Sequence, residues 1–446
     1  MDGHLLIPGF VNSHFHSHDV LAKGSFETMS LEQWGLVSGP IGSNRSVEEV
    51  RLRTIVGAIE CARNGITTVQ DFAVVAPLKS EYLDAIAEAY ASVGIRVVLS
   101  VSLRDLTAFH TLPWADEFVA AEHRSLFGSS IDGDTQLAFV AEQMDRIGTD
   151  NGRLGWAISP SAPQRCTFAF LKRIGSFARS RDLRVFTHVY ESRLQRLHAK
   201  MKLTDFKGSE IEYLDAAGLL GDRTTLAHGV WPDADEIRRI ADTGAGVVLN
   251  MLSNLKLRNG VAPLSAYRRA GVALSLGCDN CSCSDLQSMI EVMRLYCLLG
   301  AISEVDTDQP TAVEAIKLGT IGGARAAGKS SEIGEIEVGM DADLVALDLS
   351  DPSWQPFNSA ARQLVFSETG RSITDVWVGG RRVVTAGRCT FVDENAIRAQ
   401  LEEIMPSVRS EISKLAKNAA VLAPALGKIN KRAVSANLGY HRYLPD

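Results

Sequence analysis

Short runs of apolar and β-branched residues recur along this chain, separated by longer stretches whose apolar positions repeat every three or four residues. The runs are Leu5–Ser13, Ile66–Phe72, Ile95–Leu103, Leu154–Ser159, Leu183–His188, Thr224–His228, Gly246–Asn250 and Gly271–Asp279. Between them lie amphipathic stretches such as Val47–Asn64, Tyr82–Val93, Phe168–Arg181 and Asp233–Thr243. Several of these stop at a glycine just before the next run, as at Asn64-Gly65, Val93-Gly94 and Thr243-Gly244, and glycine is the expected helix stop. Alternating strand and helix predicts an α/β fold with a parallel sheet. Eight such strands predict a (β/α)8 TIM-like barrel. A doubly wound open sheet would want a glycine-rich phosphate loop after an early strand, and the sequence contains none.

Beyond Glu335 the pattern changes. Gly334–Leu349 and Thr374–Arg388 read as strands, with Gly379-Gly380 as a hairpin turn. The expected organisation is a barrel over residues 5–335 and a small β-sandwich domain over 336–390, joined by residues 1–4 at most from the N-terminus. Residues 391–446 form a C-terminal helix and tail: Asp393–Met405 reads as a helix capped by Asp393, and from Lys417 onward the chain reads as an arm, a candidate contact in a homo-oligomer (dimer or larger). Two or three strands alone are marginal, so the small domain needs partners.

Composition narrows the class. The chain has 446 residues and a formal charge of −7, without a basic stripe, which argues against nucleic acid as a partner. No apolar run reaches membrane-spanning length, and Met1-Asp2-Gly3-His4 is not the basic start of a signal peptide. Seven cysteines, an odd number, do not form a disulfide framework, so a reducing cytoplasm is expected. Cys278, Cys281 and Cys283 have CxxCxC spacing, but a structural thiolate site wants a fourth ligand and usually a second CxxC pair.

The chemistry lies at the ends of the predicted strands. His14 and His16 are two residues apart, so on a strand they share a face, and two imidazoles so placed can hold one divalent metal. An isolated HxH reads more readily as two ordinary histidines. Placement decides: His14 and His16 end the first strand, His188 the fifth, His228 the sixth and Asp279 the eighth. In a barrel of this kind, the C-terminal strand ends share one mouth. His14, His16, His188 and Asp279 supply three imidazoles and a carboxylate, a set that suits zinc (or iron) and leaves a position for water, whose pKa such a metal lowers toward neutrality. Asp279 can also take a proton as hydroxide attacks. Glu191, three residues after His188, is placed as a general acid or base, against the plainer reading of a solvated carboxylate at a helix start. His228 is either a fifth ligand or, preferred because the shell is otherwise filled, a polariser of the developing oxyanion. Trp34, Phe26 and Trp231 are candidate pocket aromatics, each of which also reads as packing. Ser161, Gln164 and Asn280 are candidate substrate contacts, and His18 stands two residues beyond His16.

Several motifs together resemble the amidohydrolase superfamily. They are Pro8–His16, His188-Val-Tyr-Glu191, Ala227-His228-Gly229-Val230, Ser253-Asn254-Leu255-Lys256-Leu257, Gly277-Cys278-Asp279 and Gly334–Val345. The HxxE step and the SNLKL run are most similar to the branch of nucleobase, nucleoside and triazine aminohydrolases and chlorohydrolases. The resemblance implies one metal on His14, His16, His188 and Asp279, because no lysine ends the fourth strand, where two-metal members carry a carboxylated one. It implies that Glu191 protonates a heteroaromatic ring and that His228 steadies the attacking water or the tetrahedral adduct. The implied reaction replaces an amino group on a C=N carbon of a small nitrogen heterocycle with hydroxyl, releasing ammonia. Dechlorination, amide or urea cleavage, and a binding protein with a silent site are the alternatives.

The chain departs from that pattern at four places. Ser161 stands where relatives often have a histidine, Trp231 where they often have a second one, and Asn280-Cys281-Ser282-Cys283 follows Asp279 in place of the usual small residues. All three touch the expected pocket. Relatives also carry some tens of residues before the first barrel strand, so either the true start lies upstream of Met1 or the small domain is reduced.

Overall fold

The computed structural model describes residues 3–150, 152–303 and 309–443. The run Leu5–Ser13, expected as one strand, is two: β1 (His4–Pro8) and β2 (Phe10–His16). Gly9 separates them. Its N–H donates to the Asp343 carbonyl at 2.8 Å, and a Cβ there would stand 2.3 Å from Thr67 Oγ1, so only glycine lets the chain pass from one sheet to the other.

β2 opens the parallel sheet. It is followed in spatial order by β3 (Ile66–Ala73), β4 (Arg96–Leu103), β5 (Leu154–Pro160), β6 (Arg184–Val189), β7 (Thr224–His228), β8 (Gly246–Leu249) and β9 (Ala273–Leu276). The intervening helices cover the outside, and every residue of β2 and β3 is buried, as a sheet covered on both faces requires. The expected eighth strand, Gly271–Asp279, is interrupted at Gly277-Cys278. β9 pairs with β8, and β10 (Asp279–Asn280) pairs with β2 through Phe15 and His16, which closes the barrel. Asn12 holds this seam. Its Oδ1 accepts from the Cys278 N–H at 2.9 Å, and its Nδ2 donates to Gln287 Oε1 at 3.0 Å. Gln287 Nε2 in turn donates to the Asp279 carbonyl at 2.9 Å.

The small sheet is antiparallel, in the order β1, β11 (Leu344–Asp348), β12 (Ile373–Val378), β13 (Arg381–Thr385) and β14 (Arg388–Cys389). It takes residues 4–8 from the N-terminal segment, not 1–4 at most, and only Leu344–Asp348 of the expected run Gly334–Leu349 is strand. The reason is local: Ile7 and Phe10 flank Pro8-Gly9, so apolarity is continuous across a break made by backbone geometry. Gly379-Gly380 forms the predicted two-residue turn, both residues having positive φ. Arg96 at the start of β4 reaches Asp343 with two nitrogens, at 3.1 and 3.3 Å, and pins this sheet to the barrel.

The C-terminal region departs most from expectation. One helix runs from Glu394 to Ser435, through Pro406 and Pro424, so the segment from Lys417 is not an arm. An interior proline costs about 3 kcal/mol in an isolated helix. Here Val408, Ile412, Ala419, Leu422, Leu426, Ile429 and Ala433 form one buried stripe against the body, including the helix Leu31–Ile41, and burial outweighs that cost. Residues 1, 2 and 444–446 of the expected termini lie outside the described residues. No helix among the described residues is long and apolar enough to cross a membrane.

Candidate active site

The strand ends bring five side chains to one point. His14 Nε2 and His16 Nε2 are 3.1 Å apart, and His188 Nε2 is 3.4 Å from His16 Nε2. Asp279 Oδ1 lies 3.5 Å from His14 Nε2 and 3.4 Å from His16 Nε2, while its Oδ2 lies 3.8 Å from His228 Nε2. Two triads, His14–His16–His188 and His14–His228–Asp279, each gather their ligand atoms within 4.8 Å of one another.

The ring nitrogens facing away explain how the cluster is oriented. His16 Nδ1–H donates to the Phe72 carbonyl at 2.8 Å and His188 Nδ1–H to the Ser161 carbonyl at 2.6 Å. These bonds leave both Nε2 lone pairs aimed inward. Burial, with neighbouring histidines adding to it, holds His14 well below the ordinary imidazole pKa, and burial and His16 do the same for His188. Burial pushes Asp279 up, but His228 and His16 outweigh it and keep the carboxyl below its ordinary value. Neutral imidazole lone pairs and a carboxylate converging in a dry pocket are a donor set for a divalent cation of the zinc type, so the residues fit the metal that the strand-end pattern implies.

His228 and Glu191 stand beside this cluster. His228 Nδ1–H donates to Asn254 Oδ1 at 2.9 Å, which directs its Nε2 toward Glu191 Oε2 at 3.6 Å. Glu191 Oε1 accepts from Asn259 Nδ2 at 3.1 Å. Burial, with Asp279 and Glu32 nearby, raises Glu191 well above the ordinary carboxyl range, which favours its protonated form. Tyr190, His228 and Asp279 all have positive φ, at 48°, 72° and 66°. Strain of this kind in three non-glycine residues around one cluster is characteristic of a functional site.

A pocket opens above the cluster. Trp34, Ser161, Gln164 and Asn280 line it, as does His18. Trp34 Nε1–H donates to Ser282 Oγ at 2.8 Å, tying the pocket wall to the loop after β10. Trp231 and Phe26 are not among the lining residues. Trp231 is fully buried behind the site, donates from Nε1 to the Asn259 carbonyl at 2.7 Å, and packs on Tyr440 and Tyr443 of the C-terminal segment. The pocket also exposes Glu32, Arg104 and Arg165, for which no motif gave a role. All seven cysteines are free and buried, and burial raises the thiol pKa of Cys278, Cys281 and Cys283, which suits core packing and not thiolate ligation.

Residues 5–383 match the amidohydrolase family. A 5′-deoxyadenosine deaminase of Methanopyrus kandleri is 29% identical over 399 residues, covering 88% of this chain and 84% of its own. A 5-methylthioadenosine/S-adenosylhomocysteine deaminase of Halobacterium salinarum is 30% identical over 402 residues, covering 89% and 85%. The zinc-bound crystal structure of an adenosine deaminase from Xanthomonas campestris superposes with a TM-score of 0.79 at 26% identity, covering 92% of this chain and 87% of that one. With a donor cluster at the strand ends, a closed barrel and a match over most of its length, this chain belongs to the amidohydrolase family and is a metal-dependent hydrolase.

Proposed function

We propose that this protein is a single-zinc aminohydrolase that removes the exocyclic amine from the adenine ring of a nucleoside or nucleoside derivative, releasing ammonia. The observation that carries the reading is the buried Glu191 carboxyl beside His228, next to a convergent His/His/His/Asp donor set. The adenine ring is supported by the deaminases to which the chain is similar.

In this reading His14, His16, His188 and Asp279 would hold the metal, which would supply Lewis acidity and lower the pKa of water near neutral pH. Glu191 gives its proton to the ring nitrogen adjacent to the amine-bearing carbon, which draws electron density away from that carbon. Asp279 accepts the proton of the attacking water and passes it to the amine, which leaves as ammonia, and the hydroxyl proton of the adduct returns to Glu191 as the ring carbonyl forms. His228, held by Asn254, stabilises the oxygen that attacks. The pocket excludes water from a ring bound against Trp34. Free, buried thiols suit the reducing compartment expected for the protein.

The test is a metal assay on purified protein coupled to ammonia release from adenosine, 5′-deoxyadenosine, 5-methylthioadenosine and S-adenosylhomocysteine. About one zinc per chain with stoichiometric ammonia and hypoxanthine-ring product is expected. A zinc-loaded protein that releases no ammonia from any of them overturns the reading.

A further inference from the structure

Beyond the helix Glu394–Ser435 the chain turns back as an irregular strap, residues 436–443, which lies against the loops carrying His228 and Asn259 and does not enter the pocket. The strap is anchored at Arg193, two residues after Glu191. The buried Arg193 Nε donates to the Ala433 carbonyl at 2.8 Å and its Nη2 donates to the Ala436 carbonyl. A cation there closes the end of the long helix, whose last carbonyls have no partner within it.

Further along, the strap bonds to both loops. The Tyr440 hydroxyl donates to the Trp231 carbonyl at 2.7 Å. Arg442 Nε donates to the Val230 carbonyl and its Nη2 to the Pro232 carbonyl, each at 2.9 Å. These three carbonyls belong to the turn that follows His228. The Arg442 carbonyl accepts from the Val261 N–H at 2.7 Å, on the loop that carries Asn259. Arg442 thus grips one loop with its side chain and the other with its backbone. Its guanidinium stacks over the Tyr440 ring, 4.7 Å from the centroid, which fixes the fork. Gly260 permits the approach: its φ is 109°, and a Cβ there would stand 2.7 Å from the Arg442 carbonyl oxygen.

The links from these loops to the site are direct. The Val230 and Trp231 N–H groups both donate at 3.1 Å to the carbonyl of Tyr190, the residue before Glu191. Trp231 lies under Arg193, 5.2 Å from its ring centroid, and its Nε1–H holds the Asn259 carbonyl. The Asn259 N–H donates to the Asn254 carbonyl at 2.8 Å, while the Asn259 side chain holds Glu191 and the Asn254 side chain holds His228. Ordering a chain terminus costs conformational entropy, and termini are ordered where they are tied down. Here the ties fall on the two loops that orient the acid and its neighbouring imidazole.

We infer that the strap 436–443, centred on Arg442, is a positioning element: it fixes the loops after β7 and β8 so that Asn259 and Asn254 present Glu191 and His228 in their observed geometry. The effect on turnover rests on the aminohydrolase reading, whereas the coupling of the strap to the two loops does not.

The test uses zinc-loaded wild type, Arg442→Gln, Arg442→Lys, Tyr440→Phe and a chain ending at Ala436. The kinetic arm measures ammonia release from 5′-deoxyadenosine. In Arg442→Gln, kcat is expected to fall by about tenfold, and in the shortened chain by about 10–100-fold, with KM changed by less than about threefold and zinc content equal to wild type. Arg442→Lys keeps a donor for one of the two carbonyls and is expected to recover part of the loss, and Tyr440→Phe to lose less than Arg442→Gln. The second arm is amide hydrogen exchange. Residues 229–232 and 259–262 are expected to exchange about tenfold faster in Arg442→Gln, with β3 and β4 unchanged. If the shortened chain does not fold, the point variants decide. Faster exchange in these segments, with no ammonia released by wild type from any nucleoside, keeps the coupling and rejects the aminohydrolase reading. Unchanged exchange in Arg442→Gln overturns the inference, as does an unchanged kcat, or a loss confined to KM, where wild type is active.

Discussion

Glu191 Oε2 lies 3.6 Å from Nε2 of His228, and the two side chains reach this contact from the ends of adjacent strands. Burial raises the carboxyl above its ordinary range and lowers the imidazole below its own, with Asp279 and the Asn254 hydrogen bond pulling the imidazole the other way. Replacing Glu191 by Gln keeps the shape and removes the transferable proton. Turnover is expected to fall by about 10²–10⁴-fold with zinc content unchanged. Steady-state kinetics beside elemental analysis checks this, and wild-type turnover in the variant would remove Glu191 as the acid.

Asn254 orients His228 without lining the pocket. In Asn254→Ala the imidazole loses the acceptor that fixes its tautomer. A fall in kcat of about 10–100-fold is expected, with a smaller change in KM and a metal content equal to wild type. A change confined to KM would show that His228 acts in binding alone.

Chelation is expected to abolish activity, and zinc to restore it. Because the four proposed ligands sit on β2, β6 and β10, a cation that binds only the closed barrel would stabilise it, by about 2.7 kcal/mol at a hundredfold excess over Kd. The melting temperature should therefore rise with free zinc in wild type and not in Asp279→Ala.

Asn12 and Gln287 bridge the break in the eighth strand. Asn12→Ala leaves the Cys278 N–H and Gln287 Oε1 unpaired in a buried seam, at a cost of about 1–3 kcal/mol. Urea unfolding measures the cost, and zinc titration is expected to show weaker affinity, since the same residues position Asp279.

His198 supplies a pH dependence outside the metal cluster. Burial, with Lys202 and His110 nearby, lowers it to about 4 from 6.5, although a bond to the His110 backbone opposes the shift. The folded form then binds fewer protons than the unfolded form between those values, so stability is complete above about pH 6.5 and declines as pH falls toward 4, by about 3 kcal/mol. In His198→Gln, the slope of unfolding free energy against pH in that window should be shallower by about one proton. An identical slope would show that His198 does not titrate this way.

The barrel and the convergence of its histidines were legible because both follow from strand period and strand ends. His14, His16, His188, His228 and Asp279 needed no loop geometry to be placed together. What escaped prediction depends on loops and on distant packing. Trp231 follows His228 and Gly229, both with positive φ, and that turn carries the indole beneath Tyr440 and Tyr443, away from the pocket. The break at Gly9 is hidden by the apolar residues on either side of it and fixed by contact with Thr67, and the helix through Pro406 and Pro424 depends on a partner surface distant in sequence.

The pairing of Asp279–Asn280 with Phe15–His16 joins the two ends of the barrel's chain order. More than 260 residues of chain separate His16 from Asp279, so the donor cluster exists only where this ring is closed, and a barrel opened at this seam would lose it.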